Sequence, residues 1–286
     1  MRQRAYGYAP AMTDNAATTD AAAGASATDT SPAPPAVLTE RRGNVLLITL
    51  NRPQVRNAVN AAVAEGVAHA LEELDADDGL AVGILTGAGG CFCAGMDLGA
   101  FVRGESPWYG DRGFAGIAQR AARKPLIAAI EGFAVAGGME IALGCDLIVA
   151  AEGAKLGIPE AKRSLVAAGG ALLRLPRRMP YHVVMELALT GDTMPAERFH
   201  DFGVVNRLAP PGGALDAALE LAAAFAANGP LALIASKQIL QDQLDWSSAE
   251  MWERQAAISG PVFASEDAKE GASAFKEKRP PVWRGR

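Results

Sequence analysis

The sequence predicts an α/β protein in which alternating strands and helices are followed by a helical C-terminal region. Short apolar runs of strand length recur along the chain, and segments with the periodicity of a helix separate them. Beyond residue 208 these runs stop, and residues 213–278 show three helical patterns with breaks near Gly229-Pro230 and Gly260-Pro261. The 286 residues are enough to bury a core of ordinary size.

Four apolar runs are predicted as buried strands of the α/β core. They lie at residues 45–50, 80–86, 125–130 and 147–151. The first run ends at Asn51-Arg52-Pro53, which is typical of a turn. Residues 60–74 then place apolar side chains on one helical face, and Asn60 is a suitable N-cap for that helix. Strand, loop and helix form the first unit, and the later strands repeat it.

The N-terminal 36 residues differ in composition from the rest of the chain. They include 12 alanines and no Leu, Ile, Val, Phe or Trp, so they cannot bury enough apolar surface to offset the entropy cost of ordering. Acidic residues interrupt their short alanine runs, which argues against a secretory signal. We predict a disordered tail over residues 1–36, a core over residues 37–212 and a helical region over residues 213–286.

Charge balance and cysteine content limit the classes of function. The chain carries 27 Lys and Arg against 32 Asp and Glu, a formal net charge of −5, which argues against nucleic acid or an anionic membrane as a partner. Three cysteines cannot form a closed disulfide framework, so a reducing, cytoplasmic location is expected. His69, His182 and His200 lie on separate helical patterns without the spacing of metal ligands, so no metal site is expected.

Residues 125–151 are the most informative segment of the chain. They are long and apolar enough to suggest a membrane span, but Glu131, Glu140 and Asp146 interrupt them. Acids near the middle of a membrane cost roughly 2.5 to 3.5 kcal/mol each, so we interpret the segment as protein core. A strand, a glycine-rich turn at residues 131–138 and a helix fit the pattern.

The glycines of this turn lie where the helix begins. The first N–H groups of a helix lack internal partners, and that end of the helix carries a partial positive charge. A ligand carbonyl can approach Gly137 and Gly138 closely because neither has a Cβ. Glu140 then lies within one turn of the bound carbonyl. The alternative is a Gly-Gly packing contact beside a solvent-facing Glu140, and this segment alone leaves both interpretations open.

A second glycine-rich segment, residues 86–98, also follows a strand. It lacks the dinucleotide-binding spacing, and no phosphate-loop lysine follows it. It does offer an exposed backbone N–H at Met96, next to Gly95, and two such amides from two loops would form an oxyanion hole. Downstream, Glu160 follows Glu140 by 20 residues. That interval allows the two carboxyl groups to meet across a cleft without requiring it.

Together these segments resemble the crotonase superfamily, the enoyl-CoA hydratase and isomerase family, over residues 40–286. Each motif is weak alone, but their order and spacing are specific. They are Leu50-Asn51-Arg52-Pro53 with Arg56-Asn57-Ala58, Phe92-Cys93-Ala94-Gly95-Met96-Asp97-Leu98, Glu131 through Glu140 to Cys145-Asp146, Leu156-Gly157-Ile158-Pro159-Glu160, Leu189-Thr190-Gly191-Asp192 with Gly203-Val204-Val205-Asn206, and Phe275-Lys276-Glu277-Lys278-Arg279.

The resemblance implies a crotonase-like spiral of ββα units with a C-terminal helical domain, assembled as a homotrimer or a dimer of trimers. It implies an acyl-CoA substrate and no further cofactor. Carried over by position, the oxyanion-hole amides fall on Met96 and Gly137, and the catalytic glutamates on Glu140 and Glu160. The residues expected to bind CoA and the acyl group are Arg56, Ala58, Ala94, Asp97, Leu98, Phe275 and Lys278.

The activity implied by the resemblance is that of a lyase. Two peptide N–H groups would stabilise the enolate of a trans-2-enoyl-CoA thioester while water adds at the β carbon. Glu140 is expected to activate the water as a base and Glu160 to donate a proton to the α carbon, with the roles exchanged in the reverse reaction. For Lys278 a solvated basic C-terminus is an equal interpretation.

Several alternatives stay open. Within the family, an enoyl-CoA isomerase would use the same oxyanion hole with one glutamate. Gly169-Gly170-Ala171-Leu172-Leu173-Arg174 resembles the corresponding segment of carnitinyl-CoA dehydratases, which leaves the acyl group undecided. Residues 99–120, with Trp108, Tyr109 and Phe114, either form a wall of the acyl pocket or pack on the core. A protein of another class would bind acyl-CoA or RNA without catalysis.

Overall fold

The computed structural model describes residues 34–286, and the tail predicted over residues 1–36 lies almost wholly outside this range. The strands are β1 (Val37–Arg42), β2 (Val45–Leu50), β3 (Val82–Gly87), β4 (Trp108–Tyr109), β5 (Gly113–Phe114), β6 (Leu126–Ile130), β7 (Phe133–Val135), β8 (Leu147–Ala151), β9 (Lys155–Gly157), β10 (Thr193–Pro195) and β11 (Arg207–Ala209). The helices are α1 (Ala61–Ala76), α2 (Leu98–Val102), α3 (Gly137–Gly144), α4 (Ala171–Arg174), α5 (Tyr181–Thr190), α6 (Ala196–Asp201), α7 (Ala214–Ala226), α8 (Pro230–Asp242), α9 (Met251–Ala264) and α10 (Glu266–Glu277).

The main sheet has the order β1-β2-β3-β6-β8-β11. Its first two strands are antiparallel, and every later pair is parallel. The four apolar runs form β2, β3, β6 and β8, which are buried almost throughout. Continuous apolar strands are expected where helices cover both faces of a parallel sheet.

Helices cover the two faces of this sheet. On one face, β2 side chains such as Leu46 and Ile48 share a core with α1 through Val67 and Leu71. On the other face, side chains of β2, β3, β6 and β8 pack against α7. The side chain of Asn60 accepts a hydrogen bond from the Val63 N–H at 3.2 Å, so the predicted N-cap of α1 is confirmed.

A smaller sheet with the order β10-β9-β7 lies beside the main one. The chain passes from β6 through β7 into α3, and then from β8 into β9, so each of these two turns of the chain adds one strand to each sheet. The succession β6-β7-α3 is one ββα unit. Because β7 and α3 are separated by one residue, this unit brings the N-terminus of α3 to the edge of the smaller sheet.

The C-terminal region differs from its prediction in detail. It contains four helices, α7 to α10, where three patterns are expected from the sequence. The predicted break at Gly229-Pro230 is confirmed, but the one at Gly260-Pro261 is wrong because α9 continues through Pro261. A proline removes one backbone hydrogen bond without preventing the next residues from completing theirs. The break lies instead at Ser265, which caps α10 by accepting from the Ala268 N–H.

No single helix in residues 34–286 has both the length and the apolar composition of a membrane span. Only α7 together with residues 230–245, a pair bent by 108°, reaches those limits.

Candidate active site

A cavity of about 540 Å³ lies beside the N-terminus of α3. Five segments form it: the turn after β2 through Arg56, residues 94–101, the β4-β5 hairpin, the β7-α3 turn with the first turn of α3, and residues 155–169. The residues that line it are Arg56, Ala94, Met96, Leu98, Phe101, Trp108, Phe114, Phe133, Val135, Ala136, Gly137, Glu140, Lys155, Pro159, Glu160, Arg163, Leu165, Val166, Ala168 and Gly169. The four residues expected to do the chemistry, Met96, Gly137, Glu140 and Glu160, therefore share one cavity.

Met96 and Gly137 are brought together by a parallel pairing of their loops. Cys93 pairs with Ala134, and the Cys93 carbonyl accepts a hydrogen bond from the Val135 N–H at 3.1 Å. Met96 follows Cys93 by three residues, and Gly137 follows Ala134 by three. The parallel register therefore places Met96 and Gly137 side by side. The approach is close, because a Cβ on the intervening Gly95 would lie 3.0 Å from the Gly137 nitrogen.

Backbone hydrogen bonds set the direction of the Met96 N–H. The Gly95 carbonyl, in the same peptide group, accepts from the Val59 N–H at 2.8 Å. A trans peptide is planar with its C=O and N–H pointing in opposite directions, so this bond turns the Met96 N–H away from Val59. Within residues 34–286 the Met96 N–H donates to no protein acceptor.

The same reasoning applies to Gly137 at the start of α3. The Ala136 carbonyl, in the same peptide group, accepts from Met139 at 2.9 Å and from Glu140 at 3.2 Å, so it points along the helix. The Gly137 N–H therefore points out of the helix end, and no acceptor in the described part of the chain takes it. Ala136 has a φ of +53°, an uncommon value for a residue with a Cβ.

Glu140 extends from the first turn of α3 and is only 4% exposed. Its Oε1 accepts from the Ala171 N–H at 3.3 Å, and Gly169 lies close to the other carboxylate oxygen. Burial raises the pKa of Glu140 to about 7, the nearby charge of Glu160 adds to the rise, and the backbone amides of Ala171 and Gly169 oppose it. A carboxyl group with this pKa exchanges a proton readily near neutral pH.

Glu160 follows Pro159 in a short 3₁₀ turn, Pro159–Arg163, and is half-buried. Its Oε2 is shielded from solvent and has no hydrogen-bond partner among residues 34–286. Burial raises the pKa of Glu160 as well. Two neighbouring carboxyl groups resist ionising together, so the pair is expected to hold one proton between them near neutral pH.

The residues expected to bind CoA fall into three groups. Arg56, Ala94 and Leu98 line the cavity. Ala58 and Asp97 do not line it: Ala58 is buried behind the wall, and Asp97 is engaged with Arg52 and with the N-terminus of α2. Phe275 and Lys278 lie at the exposed end of α10, outside the cavity lining of this chain. Their roles in binding stay predictions.

The aromatic segment at residues 99–120 contributes to the cavity wall. Phe101, Trp108 and Phe114 line the cavity, and the rings of Trp108 and Phe114 meet edge to face with centroids 5.3 Å apart. Tyr109 does not line it and instead bonds to His69 at 3.0 Å. Both interpretations of this segment therefore apply to different side chains.

Other wall residues were not singled out by the sequence reasoning. Lys155, Arg163, Leu165 and Val166 all lie close to Glu160 in the chain. Their closeness to Glu160 in the sequence could have predicted them as cavity residues. Within residues 34–286 no three His, Cys, Asp or Glu side chains come together to hold a metal ion.

Comparison with known proteins agrees with this architecture. The family model described as enoyl-CoA hydratase/isomerase matches residues 40–286. Enoyl-CoA hydratase EchA19 of Mycobacterium tuberculosis is 44% identical over 259 residues, covering 88% of this chain and 97% of that protein. The carnitinyl-CoA dehydratase of Salmonella arizonae is 41% identical over 253 residues, covering 86% of this chain and 97% of that protein.

A solved structure of enoyl-CoA hydratase EchA1 from Mycobacterium marinum is 58% identical, with a TM-score of 0.87, covering 88% of this chain and all of that one. This similarity confirms the expected crotonase-like fold. The family model covers the core, the cavity and all four C-terminal helices. The chain belongs to the enoyl-CoA hydratase/isomerase family.

Proposed function

We propose that the protein adds water to a trans-2-enoyl-CoA, or removes it from a 3-hydroxyacyl-CoA. The observation that carries this proposal is the shared cavity, in which two free backbone N–H groups lie beside the buried carboxyl group of Glu140 and the half-buried one of Glu160. Relatives named enoyl-CoA hydratase and carnitinyl-CoA dehydratase support this class of reaction. The chemistry needs only groups of the chain and the thioester, so we propose no further cofactor.

The two amides would act on the thioester carbonyl. Met96 and Gly137 donate hydrogen bonds to its oxygen, and these bonds strengthen as water adds at the β carbon and negative charge moves onto that oxygen. Removing one donor of this kind costs about 2.7 to 4 kcal/mol of transition-state stabilisation in other enzymes. Two donors at one wall can therefore supply a large part of the acceleration.

The two glutamates would hold the water and divide the proton transfers. In hydration Glu140 takes a proton from the water, and Glu160 gives a proton to the α carbon. In dehydration Glu160 removes the α proton and Glu140 protonates the leaving hydroxyl. Glu140 is the more deeply buried of the two, and deeper burial favours the neutral form, so we place the shared proton on Glu140 in the free protein, which is the starting state for dehydration. Hydration starts after that proton passes to Glu160.

Substrate binding and assembly follow from the surroundings of the cavity. Arg56, Lys155 and Arg163 place three cations along its wall, where the phosphates of CoA would be attracted.

The helices after α7 expose large apolar side chains, which supports association of copies as the proposed homotrimer or dimer of trimers. These side chains are Leu240, Leu244, Trp252, Phe263 and Phe275. In such an assembly Phe275 and Lys278 would reach a neighbouring copy's CoA. The three free, buried cysteines fit the proposed cytoplasmic location.

The test is hydration of crotonyl-CoA, followed by the loss of its conjugated absorbance. Glu140→Gln and Glu160→Gln should each lower kcat at least about 100-fold while CoA binding is retained, as expected for acid–base groups. Glu65→Gln, an exposed substitution on α1, is the control and should leave kcat unchanged.

The substrate panel separates this proposal from the alternatives. Turnover of a 3-enoyl-CoA without hydration of crotonyl-CoA would favour an isomerase. Faster dehydration of carnitinyl-CoA than of 3-hydroxybutyryl-CoA would favour the carnitinyl specificity of relatives such as that of Salmonella arizonae. Binding of acyl-CoA without turnover of any substrate would contradict the proposed enzyme and favour a binding protein.

A further inference from the structure

An ion pair behind the cavity wall connects two segments that contribute to the site. Arg52 lies in the turn after β2, and its Nη1 donates to Asp97 Oδ2 at 2.9 Å and to the Ala58 carbonyl at 2.6 Å. The side chains of Arg52 and Asp97 are 17% and 15% exposed, so solvent screens their attraction only in part.

Asp97 directly follows Met96, which supplies one of the two amides. Its N–H donates to the Val59 carbonyl at 2.9 Å, and the Val59 N–H donates to the Gly95 carbonyl at 2.8 Å. Val59 therefore fixes the backbone on both sides of Met96 through these two hydrogen bonds. The contacts of Arg52 reach both sides of this pairing: Ala58 beside Val59, and Asp97 beside Met96.

The other carboxylate oxygen of Asp97 holds the next element. Oδ1 accepts from the Ala100 N–H at 3.0 Å and caps α2, which carries the wall residues Leu98 and Phe101. One carboxylate thus connects the amide loop, the turn after β2 and the acyl wall. Neither Arg52 nor Asp97 is among the residues that line the cavity.

We propose that the Arg52–Asp97 ion pair is a positioning device that holds the Met96 N–H in the direction required to polarise the thioester carbonyl. This inference rests on the proposed function. Without the pair, the peptide between Gly95 and Met96 keeps its bond to Val59 but can tilt together with the segment. The guanidinium also neutralises the Asp97 carboxylate, whose negative charge would otherwise oppose the nearby enolate.

The test is a double-mutant cycle. Arg52→Ala and Asp97→Ala should each lower kcat for crotonyl-CoA about 10-fold, which is less than the loss of a whole oxyanion donor. KM should change less than about threefold, because ground-state contacts are retained. The double variant should be less impaired than the product of the two single effects predicts, because both changes remove the same ion pair. It need not match the slower single variant, since Arg52 also binds the Ala58 carbonyl and Asp97 also caps α2. Asn has only one acceptor oxygen, so Asp97→Asn can keep the contact with Arg52 or the one with the Ala100 N–H but not both, and it should restore kcat only in part.

A spectroscopic measurement separates positioning from simple stabilisation. 2,4-Hexadienoyl-CoA absorbs at longer wavelength when its carbonyl is polarised, and it can be bound to a Glu140→Gln background in which turnover is slow. Arg52→Ala in that background should reduce the shift. Arg41→Ala, which removes the exposed pair with Asp77 at the C-terminal end of α1, is the matched control and should change neither kcat nor the shift.

The outcomes are distinct. Folded Arg52→Ala and Asp97→Ala proteins with kcat and absorbance shift within about twofold of the wild type would overturn the positioning role. So would a fall in kcat that disappears when rates are normalised to the folded fraction. Failure of the wild type to hydrate any enoyl-CoA would contradict the proposed function instead, and the absorbance shift would still decide the role of the pair.

Discussion

Replacing Glu140 by Gln should lower kcat at least about 100-fold and at the same time stabilise the protein above neutral pH. The carboxyl group is 4% exposed, and burial raises its pKa from 4.5 to about 7. Since the folded state binds this proton more tightly than the unfolded chain, stability is lost as the pH rises from about 4.5 to about 7 and is constant above that. Glutamine stays neutral and avoids this loss.

The magnitude follows from the two pKa values. At about 1.4 kcal/mol for each pH unit between 4.5 and about 7, ionising Glu140 costs the folded state about 3 kcal/mol. Most of this cost arises between pH 5 and pH 8, so the free energy of unfolding of Glu140→Gln relative to wild type should rise by about 2 to 3 kcal/mol over that interval. Constant differences in hydrogen bonding at the Gly169 and Ala171 amides cancel in this comparison.

The assay is urea unfolding at pH 5 and pH 8, at one protein concentration so that association of copies contributes equally. Glu65→Gln, an exposed change on α1, should show no such dependence on pH. A difference between Glu140→Gln and wild type that stays constant from pH 5 to pH 8 would refute the argument. It would mean that the carboxylate is ionised in the folded protein at little cost.

Four further outcomes are expected. kcat/KM should fall above about pH 7, where the shared proton of the glutamate pair is lost, and a flat profile to pH 9 would contradict the assignment. Gly169→Ala should lower kcat with little change in the melting temperature, because the new Cβ would lie 2.5 Å from Glu140 Oε2; Gly260→Ala, where nothing lies within 4 Å, is the control. Trp108→Ala should raise KM for medium-chain enoyl-CoA more than for crotonyl-CoA, by about 10-fold, in steady-state assays. Asn60→Ala should lower the free energy of unfolding by about 1 kcal/mol in urea titrations, with kcat unchanged.

The main strands could be predicted because burial on both faces leaves a continuous apolar run in the sequence. Residues 45–50 and 147–151 are strands with the predicted bounds. β1 was missed for the opposite reason: five of its six residues are exposed, and only pairing with β2 makes it a strand. The helix break predicted at Gly260-Pro261 is wrong because Pro261 removes one backbone hydrogen bond of α9, and the other hydrogen bonds of the helix remain.

The candidate site could be predicted as a set of residues but not as an arrangement. The 20 residues from Glu140 to Glu160 pass through two strands and a turn, so the spacing in sequence does not give the distance between the two carboxyl groups in the fold. The motif predicts Asp97 as a CoA-binding residue, and that role stays a prediction, but the contact of its carboxylate with Arg52 could not be foreseen. That contact joins residues 45 positions apart and leaves no local trace in the sequence.

Because both donors at the cavity wall belong to the main chain, evolution can change the reaction without dismantling them. Any amino acid other than proline at position 96 supplies the same donor, so this position is open to changes that reshape the acyl site. Position 137 is closed to them, since any Cβ there would meet the ring of Phe114 at 2.4 Å. New activities would therefore arise by replacing Glu140 and Glu160 while the two backbone donors are retained. In a saturation library selected for activity, we expect many residue types at position 96 and only glycine at position 137.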